Sequence, residues 1–447
     1  MDMMLDRVKA SPADSPAQGR SAWFVLFALI VAYVFSFVDR QIVGLLVEPL
    51  KHDLHLTDTE VSLLHGFSFA VVLSIAGLPI GRLIDKHRRL TIIAAGIATW
   101  SLMTAGCGLA SSYVVLLLCR MGVGIGEATL TPAAHSIIAD SFPHKRLSLA
   151  LGLYGTGPFL GQGLAFLIGA AVLAAVSHDT WITVPLLGTL RPWQAVFLVV
   201  GLPGLVVALG INLLREPPRH TTQEAPRPSL KEVVQFFRLN LSAMLLVNLC
   251  LAFAAMTSYS ISAWVPSLLI RSYGWTTPHA GAMFGPIVMV FGLLGAVVGG
   301  VIADVAARRH AAGRLLVMAL AAFLAAPFAA LAPLVGNPDG TLALLAVTIF
   351  FTTIAVGIGP SAQQAIAPIG MRGVTSAVGV LMVSLIGLGL GPTAIALMTD
   401  YVFADPAKLR SSLACLTPIM LLLSALLGFG GLHAYRRRVL GMSSSQE

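Results

Sequence analysis

The chain has 447 residues, of which 57% are hydrophobic and only 11% are charged, and its formal net charge is +8. Soluble domains carry about 25% charged residues, so this composition excludes an ordinary soluble protein. The basic residues lie in short segments between apolar runs. That distribution is typical of membrane topology and argues against a nucleic-acid-binding protein.

Twelve apolar runs are each long enough to cross a bilayer as a helix, which takes roughly 20 residues. In chain order the predicted spans are residues 22–47, 61–80, 90–110, 113–138, 148–176, 193–214, 240–270, 280–303, 314–335, 342–368, 374–399 and 411–435. They fall into two groups of six. The predicted fold is therefore an all-α membrane protein with twelve transmembrane helices in two pseudo-symmetric six-helix bundles.

The polar segments between these runs set the predicted domain boundaries. The first bundle covers 22–214, a charged, proline-containing linker covers 215–239, and the second bundle covers 240–435, with tails at 1–21 and 436–447. Most of the 28 Lys and Arg residues lie on the side that carries both tails. This excess predicts a multi-pass cell-membrane protein with both termini in the cytoplasm, and the short tails favour a bacterial inner membrane.

Short motifs recur in the same order in the two halves, which supports the division into six plus six. The matching pairs are Gly81–Asp85 with Gly300–Asp304, Val123–Gly126 with Val356–Gly359, and Gly157–Pro158 with Gly391–Pro392. The position that matches Glu127 in the second half is Pro360. Glu127 therefore departs from a frame that both halves share.

Charged residues occur inside two of the apolar runs. Asp39 and Arg40 are adjacent in span 1, and Arg120 and Glu127 are about two helical turns apart on one face of span 4. Charge at membrane depth is costly and usually functional. We predict that Glu127 and Asp39 carry protons and compete for Arg40 and Arg120, with Glu127 the primary site because it lies deepest. The alternative is a fixed ion-pair network that only joins spans 1 and 4.

The loop motifs Gly81–Arg89 and Gly300–Arg309, together with Arg120–Ala128 in span 4, resemble the major facilitator superfamily. Further stretches resemble its spinster-like branch: Phe37–Gln41, Leu56–Glu60, Gly126–Ala128, Asp140–Pro143 and Trp264–Leu268. The resemblance implies two bundles that rock about a central cavity. It also implies an amphipathic lipid as substrate, of the lysophospholipid or sphingoid type, and proton coupling.

The same resemblance implies a cytoplasmic gate at the ends of spans 2 and 8. The gate residues would be Gly81, Asp85, Arg88, Arg89, Arg146, Gly300, Asp304 and Arg308. Asp85 would accept hydrogen bonds from the start of span 11, near 373–375, when that side is closed. The alternative for the individual arginines is an ordinary solvated basic loop.

The second half carries no charge at mid-depth, so its candidate cavity residues are neutral. They are Asn248, Tyr259, Trp264, Gln363 and Gln364. An apolar wall with a few hydrogen-bonding groups suits an acyl chain better than a sugar. The alternative for each of these residues is helix–helix packing.

These features predict a secondary active transporter that works by alternating access. Its partners would be a small amphipathic substrate, protons and the bilayer, with no nucleic acid, no cofactor and no metal, and the protein would be a monomer. An organic-anion or drug/proton transporter is the alternative, in which Arg40 and Arg120 bind a substrate headgroup. The chain has no metal-ligand spacing, no nucleophile paired with a base and no phosphate-binding loop, which argues against an enzyme or an ATP-driven pump.

Overall fold

The computed structural model describes residues 16–176, 182–184, 188–218 and 230–443. Parts of the predicted tails and linker lie outside these ranges, namely 1–15, 219–229 and 444–447. The predicted domain boundaries therefore stay predictions at those places.

Twelve helical segments of the described chain are long and apolar enough to cross a membrane. Spans 1 to 12 are Ser21–Leu45, Asp58–Gly77, Arg89–Cys107, Tyr113–Ser141, Leu149–Val176, Pro192–Leu213, Leu241–Tyr273, Thr277–Arg309, Gly313–Leu334, Pro338–Ala365, Arg372–Val402 and Pro406–Met442. The prediction of twelve membrane helices is confirmed, with bounds shifted by a few residues. An even number of crossings puts both chain ends on one side, called here the terminus side; the opposite side is the far side.

Four spans are interrupted, although the sequence predicted continuous helices. Span 2 consists of Asp58–Ser62, the π-helical Leu63–Phe67 and Ser68–Lys86. Span 4 consists of Tyr113–Glu127 and Leu130–Ser141, and span 5 consists of His144–Tyr154 and Gly157–Val176. Span 11 consists of Arg372–Met382, the π-helical Val383–Leu390, Gly391–Leu397 and the π-helical Met398–Val402. Glycines occur at or beside most of these interruptions, where they allow close approach of a neighbouring backbone. π-Helical turns inside α-helices are frequent at functional sites.

Shorter elements connect the spans. The helices among them are Val47–Leu54 and Leu230–Leu239, the 3₁₀ turns are Ala332–Leu334, Ile369–Met371 and Pro406–Lys408, and the strands are Ile182–Val184 and Gly188–Leu190. The antiparallel hairpin formed by the two strands was not predicted. Its first strand has two β-branched residues at its start, and Gly188 adopts a φ of 80° that favours glycine.

The short helix Val47–Leu54 is fixed against the start of span 6. Its Asp53 carboxylate accepts hydrogen bonds from Arg191 Nη1 and Trp193 Nε1, both at 2.7 Å. Burial by itself raises the pKa of Asp53, but hydrogen bonds from Arg191, His52 and Trp193 outweigh burial and hold it below its usual value. The connection between spans 1 and 2 is thereby held in place above the far-side end of the molecule.

The two bundles meet along a seam between spans 1 and 7, 2 and 11, and 5 and 8. At three glycines of the first bundle that lie on the seam, a Cβ atom would collide with the backbone of the second bundle. The collisions are Gly44 with the Ser262 carbonyl at 2.8 Å, Gly66 with the Leu388 carbonyl at 2.1 Å, and Gly163 with the Gly285 carbonyl at 2.8 Å. Only glycine permits this approach, so the seam is packed backbone to backbone in its far-side half.

The terminus side is not packed in this way. A Cβ atom added at Gly81, Gly300 or Gly373 would meet no atom within 4 Å. Gly81 lies in the helix that continues span 2 to Lys86, and Gly300 and Gly373 lie in the terminus-side parts of spans 8 and 11. The two bundles therefore meet closely on the far side and leave open space at these positions on the terminus side.

The substitution Gly66→Ala should destabilise the far-side packing, because its Cβ would overlap the Leu388 carbonyl. Overpacking of this kind costs about 1–3 kcal/mol, so the population should shift toward far-side-open molecules. Pulsed electron spin resonance between labels on the far-side ends of spans 2 and 11 should show longer distances. Gly77→Ala is the matched control, because that glycine in the same span has open space around it. Identical distance distributions for the two variants would contradict the packing argument.

Candidate functional site

Arg40 and Glu127 form a buried ion pair between spans 1 and 4, in which Arg40 Nη2 donates to Glu127 Oε2. The Arg40 guanidinium also lies over the rings of Phe37 and Phe69, with its Cζ 4.6 and 4.7 Å from the two ring centroids. The planar cation is thus held by one carboxylate and two aromatic faces. Lysine could not reproduce this stacked arrangement.

Arg120 and Asp39 lie beside this pair. Arg120 was predicted to pair with a carboxylate side chain, but it contacts the backbone of Asp39. Arg120 Nη1 donates to the Asp39 backbone carbonyl at 3.0 Å, and both side chains are fully buried. The structure gives no ion pair within 4.0 Å between the two side chains. The predicted competition of two carboxylates for two arginines is therefore not seen in this conformation, in which only Glu127 is paired.

Several charged atoms of this cluster are buried without a hydrogen-bond partner. They are Asp39 Oδ1, Arg40 Nε, Arg120 Nε, Arg120 Nη2 and Glu127 Oε1. Leaving buried charges incompletely paired is costly. The cluster is therefore not a fully satisfied structural network, and small rearrangements can change which charges are paired.

Glu127 owes its position to the break in span 4. It is the last residue of the helix Tyr113–Glu127, and the chain resumes as a helix at Leu130. The hydroxyl of Thr129 caps the break by donating to the Gly126 carbonyl at 2.9 Å. A Cβ at Gly126 would lie 2.6 Å from the Gly96 carbonyl, so this part of span 4 packs directly on span 3.

Aromatic side chains that sequence reasoning missed surround the ion pair. Tyr33 and Tyr154 stack with ring centroids 4.5 Å apart, and Tyr33 contacts the edge of Phe37 at 5.3 Å. Tyr259, a predicted cavity residue of span 7, packs against the core of the first bundle. Tyr259 is therefore placed across the seam from the charged cluster.

The other predicted cavity residues lie elsewhere. Trp264 Nε1 donates to the Pro392 carbonyl at 2.9 Å, and Gln363 Nε2 donates to Asn248 Oδ1 at 2.8 Å. All three side chains are buried in helix packing within the second bundle, and Gln364 is exposed. In this conformation the polar groups of Trp264, Gln363 and Asn248 bond one another or nearby backbone, and the assignment of these residues to a cavity wall stays a prediction.

The predicted gate arginines brace the first bundle and do not join the two bundles. Arg89 is 2% exposed and forms an ion pair with Asp140. Its Nε donates to the Glu216 carboxylate at 2.8 Å, and its Nη1 donates to the Ser136 hydroxyl at 2.8 Å. Arg88 donates to the Leu214 carbonyl. These contacts tie the starts of span 3 and the linker to the end of span 4.

The remaining charged gate residues lie on the terminus side of the molecule. Asp85, Arg146 and Arg308 are exposed, and Asp304 pairs with Arg314 of its own bundle at 3.4 Å. Gly373, where Asp85 was predicted to dock, has open space around it. The predicted gate is therefore not closed here, because the two bundles are apart on the terminus side.

A far-side lock, formed by Glu48, Lys51, Asp58 and Arg271, joins the bundles where the sequence predicted only loop charges. Arg271 of span 7 donates from Nη1 and Nη2 to the two Asp58 carboxylate oxygens at 2.8 and 2.7 Å. It also donates from Nε to Glu48 at 2.8 Å, and Lys51 pairs with the same Asp58. Two-point binding of a buried carboxylate by arginine is among the stronger polar contacts in proteins.

Further hydrogen bonds, none of them from a basic side chain, extend the far-side lock along the seam. Thr59 donates from its backbone N and its hydroxyl to Asp400 Oδ2, both at 2.7 Å, and Ser62 donates to Thr393 at 3.3 Å. Deeper in the seam, Ser262 donates to Gln41 Oε1 at 2.8 Å. These polar contacts across the seam belong to its far-side half. The structure is sealed on the far side and open on the terminus side.

Asp58→Asn should weaken the far-side lock, since it removes the charge that Arg271 and Lys51 share. We expect thiol reagents added from the far side to label a cysteine placed in the seam several-fold faster than in the parent. Asp405→Asn is the control, because Asp405 is a half-buried far-side residue whose side chain caps Ala407 and is not one of the four residues of the far-side lock. Equal labelling rates in the two variants would show that the lock does not hold the seam closed.

Arg40→Lys should impair transport even though the charge is kept. Lysine cannot lie flat between Phe37 and Phe69 while also reaching Glu127. The transport rate in proteoliposomes should fall at least tenfold, and Arg215→Lys, on the linker outside the site, should leave it unchanged. A rate within twofold of wild type for Arg40→Lys would show that the stacked geometry is not needed.

The family model described as Major Facilitator Superfamily matches residues 29–392. An "MFS-type efflux pump" of Mycolicibacterium smegmatis is 27% identical over 94% of this chain and 95% of its own length. "Protein spinster" of Drosophila melanogaster is 25% identical over 78% of this chain and 56% of its own length.

Solved structures give the same result. A bacterial homologue of the human lysosomal transporter spinster, crystallised in an inward-facing and unoccupied conformation, is 26% identical and matches with a TM-score of 0.75, covering 94% of this chain and 97% of that one. The predicted resemblance to spinster-like transporters and the prediction that the chain is not an enzyme are both confirmed. The chain belongs to the major facilitator superfamily of secondary transporters.

Proposed function

We propose that this transporter moves an amphipathic, lipid-like substrate of the lysophospholipid or sphingoid type and couples its movement to protons through Glu127 and Asp39. The observation that carries the proposal is the buried Arg40–Glu127 pair beside the unpaired Asp39 carboxylate. A structural network would have its buried charges satisfied, whereas this one keeps unpaired atoms on both carboxylates.

Protonation of Glu127 would cancel its charge and release Arg40 from its only ion-pair partner in the described chain. The next residue, Gln41, accepts a hydrogen bond from Ser262 across the seam. A movement of Arg40 would therefore displace the adjacent Gln41 and disturb its hydrogen bond to Ser262 of the other bundle. Other titratable or charged side chains around the pair are Tyr33, Asp39, His65, Arg120 and Tyr259.

The charge distribution favours a lipid-like substrate over an organic anion. Arg120 is fully buried against the Asp39 backbone, and Arg40 is occupied by Glu127. Arg40 is therefore not free to hold a substrate carboxylate in this conformation, and Arg120 is buried out of reach of one, although its Nε and Nη2 have no hydrogen-bond partner. The similarity to an efflux pump supports the alternative of a drug/proton transporter. In such a transporter the charged cluster would have the same coupling role.

The open terminus side would face the cytoplasm if both termini lie there, as the excess of basic residues on that side predicts. The conformation described here would then be ready to take up substrate from the cytoplasm or from the inner leaflet. The far-side lock would have to open before release on the other side. We propose this orientation in a cell membrane, with the bacterial inner membrane favoured.

The test measures uptake of radiolabelled lysophosphatidylcholine into proteoliposomes with and without a pH gradient. Wild type should show gradient-dependent uptake, while Glu127→Gln should exchange substrate at a rate that the gradient does not change. Asp339→Asn, which alters an exposed carboxylate at the far-side start of span 10, is the control and should behave as wild type.

Two results would contradict the proposal. Gradient dependence that persists in folded Glu127→Gln would remove this residue from proton coupling. Uptake of a hexuronate or a cationic drug, with no uptake of lysolipid, would replace the substrate class with the alternative one.

A further inference from the structure

A small cavity of about 10 Å³ lies on the seam, between span 5 of the first bundle and spans 7, 8 and 10 of the second. This volume gives room for about one water-sized group. It therefore suits a single small polar group of an amphiphile, such as a hydroxyl, and not a whole lipid. Phe159, Phe284 and Val288 form apolar wall.

Polar groups without partners line the same cavity. Thr352 Oγ1 is buried and has no hydrogen-bond partner. The side chains of Gln162, Ser258 and Thr353 likewise make no hydrogen bond to the described part of the chain. Buried polar groups are normally hydrogen-bonded, so unpaired groups around one cavity mark a place where a ligand supplies the partners.

Thr348, one turn before Thr352 in span 10, shows what such a residue does when no ligand is involved. Its hydroxyl donates to the Leu344 carbonyl of its own helix at 2.8 Å. Thr352 has the same option in the same span and does not use it. Its free hydroxyl is therefore a feature of the cavity and not of threonines in this helix generally.

No charged side chain lines the cavity. Moving a phosphate or ammonium group into it would remove that group from water without a counter-charge, which is costly. A hydroxyl group can instead both donate to the Gln162 carbonyl oxygen and accept from Thr352. The chemistry of the lining therefore matches the uncharged polar backbone of an amphiphile, next to its acyl chain.

We propose that this cavity, through Gln162 and Thr352, recognises a free hydroxyl on the backbone of a single-chain amphiphile, while the charged headgroup stays outside it. The proposal rests on the lipid-like substrate proposed above. Because Gln162 belongs to one bundle and Thr352 to the other, a bound hydroxyl bridges the seam. A ligand that contacts both bundles in one conformation favours that conformation.

The test compares binding of lysophosphatidylcholine with its 2-deoxy analogue, which has the same chain and headgroup, to the purified full-length protein. Wild type should bind the hydroxyl compound about three- to tenfold more tightly, the ratio expected for one net hydrogen bond. The double variant Gln162→Leu with Thr352→Val should bring this ratio to about one and leave the affinity for the deoxy compound unchanged. Thr348→Val is the matched control and should keep the wild-type ratio.

Unchanged affinity for the deoxy compound also shows that a variant is folded. If the double variant binds neither compound, the two single variants are measured separately. Each single variant should then lower the ratio of the two affinities. Equal wild-type affinities for the two compounds, or a ratio that persists in the double variant, would overturn the hydroxyl subsite and leave the lipid function standing. Failure of wild type to bind either compound would overturn both.

Discussion

The Arg40 guanidinium is held in the membrane interior by one carboxylate and two aromatic rings, and the arrangement of the first bundle follows from this constraint. Glu127 has to end its helix at the depth of Arg40, which the break in span 4 achieves. Phe37 and Phe69 have to present their ring faces to the cation within about 5 Å. The close glycine contact at Gly126 brings span 4 against span 3. Each of these features positions the charge, and together they leave it incompletely satisfied.

The seam between the bundles depends on a second set of contacts with a different physical basis. In its far-side half, glycine backbones touch and the Arg271–Asp58 ion pair closes the end. In its terminus-side half, the glycines that could form matching contacts face open space. The ion pair of the first bundle and the seam are joined through Gln41, which follows Arg40 in the chain and bonds Ser262 of the second bundle. The proposed proton site and the seam are therefore separated by a single residue along the chain.

The twelve spans could be predicted because apolar run length is a local property of the sequence. The four buried charges also stood out, since charge in an apolar run is rare. Their pairing could not be predicted, because adjacent Asp39 and Arg40 point in different directions and the choice depends on Phe69 in span 2. The far-side lock was missed because Asp58 and Arg271 are 213 residues apart and resemble ordinary loop charges. Thr57 and Glu60, which form a capping box, were the one local sign of order there.

The central claim is that the proton on Glu127 controls which side of the protein is open. It is tested most directly by measuring, over a pH series, the distance between spin labels on the far-side ends of spans 1 and 7. As the pH falls, wild type should shift from the short distance of the sealed far side to a longer one. Glu127→Gln should give the longer distance at every pH. A Glu127→Gln protein that still shifts with pH as wild type does would contradict the account and would place the titrating group elsewhere, such as in the far-side lock.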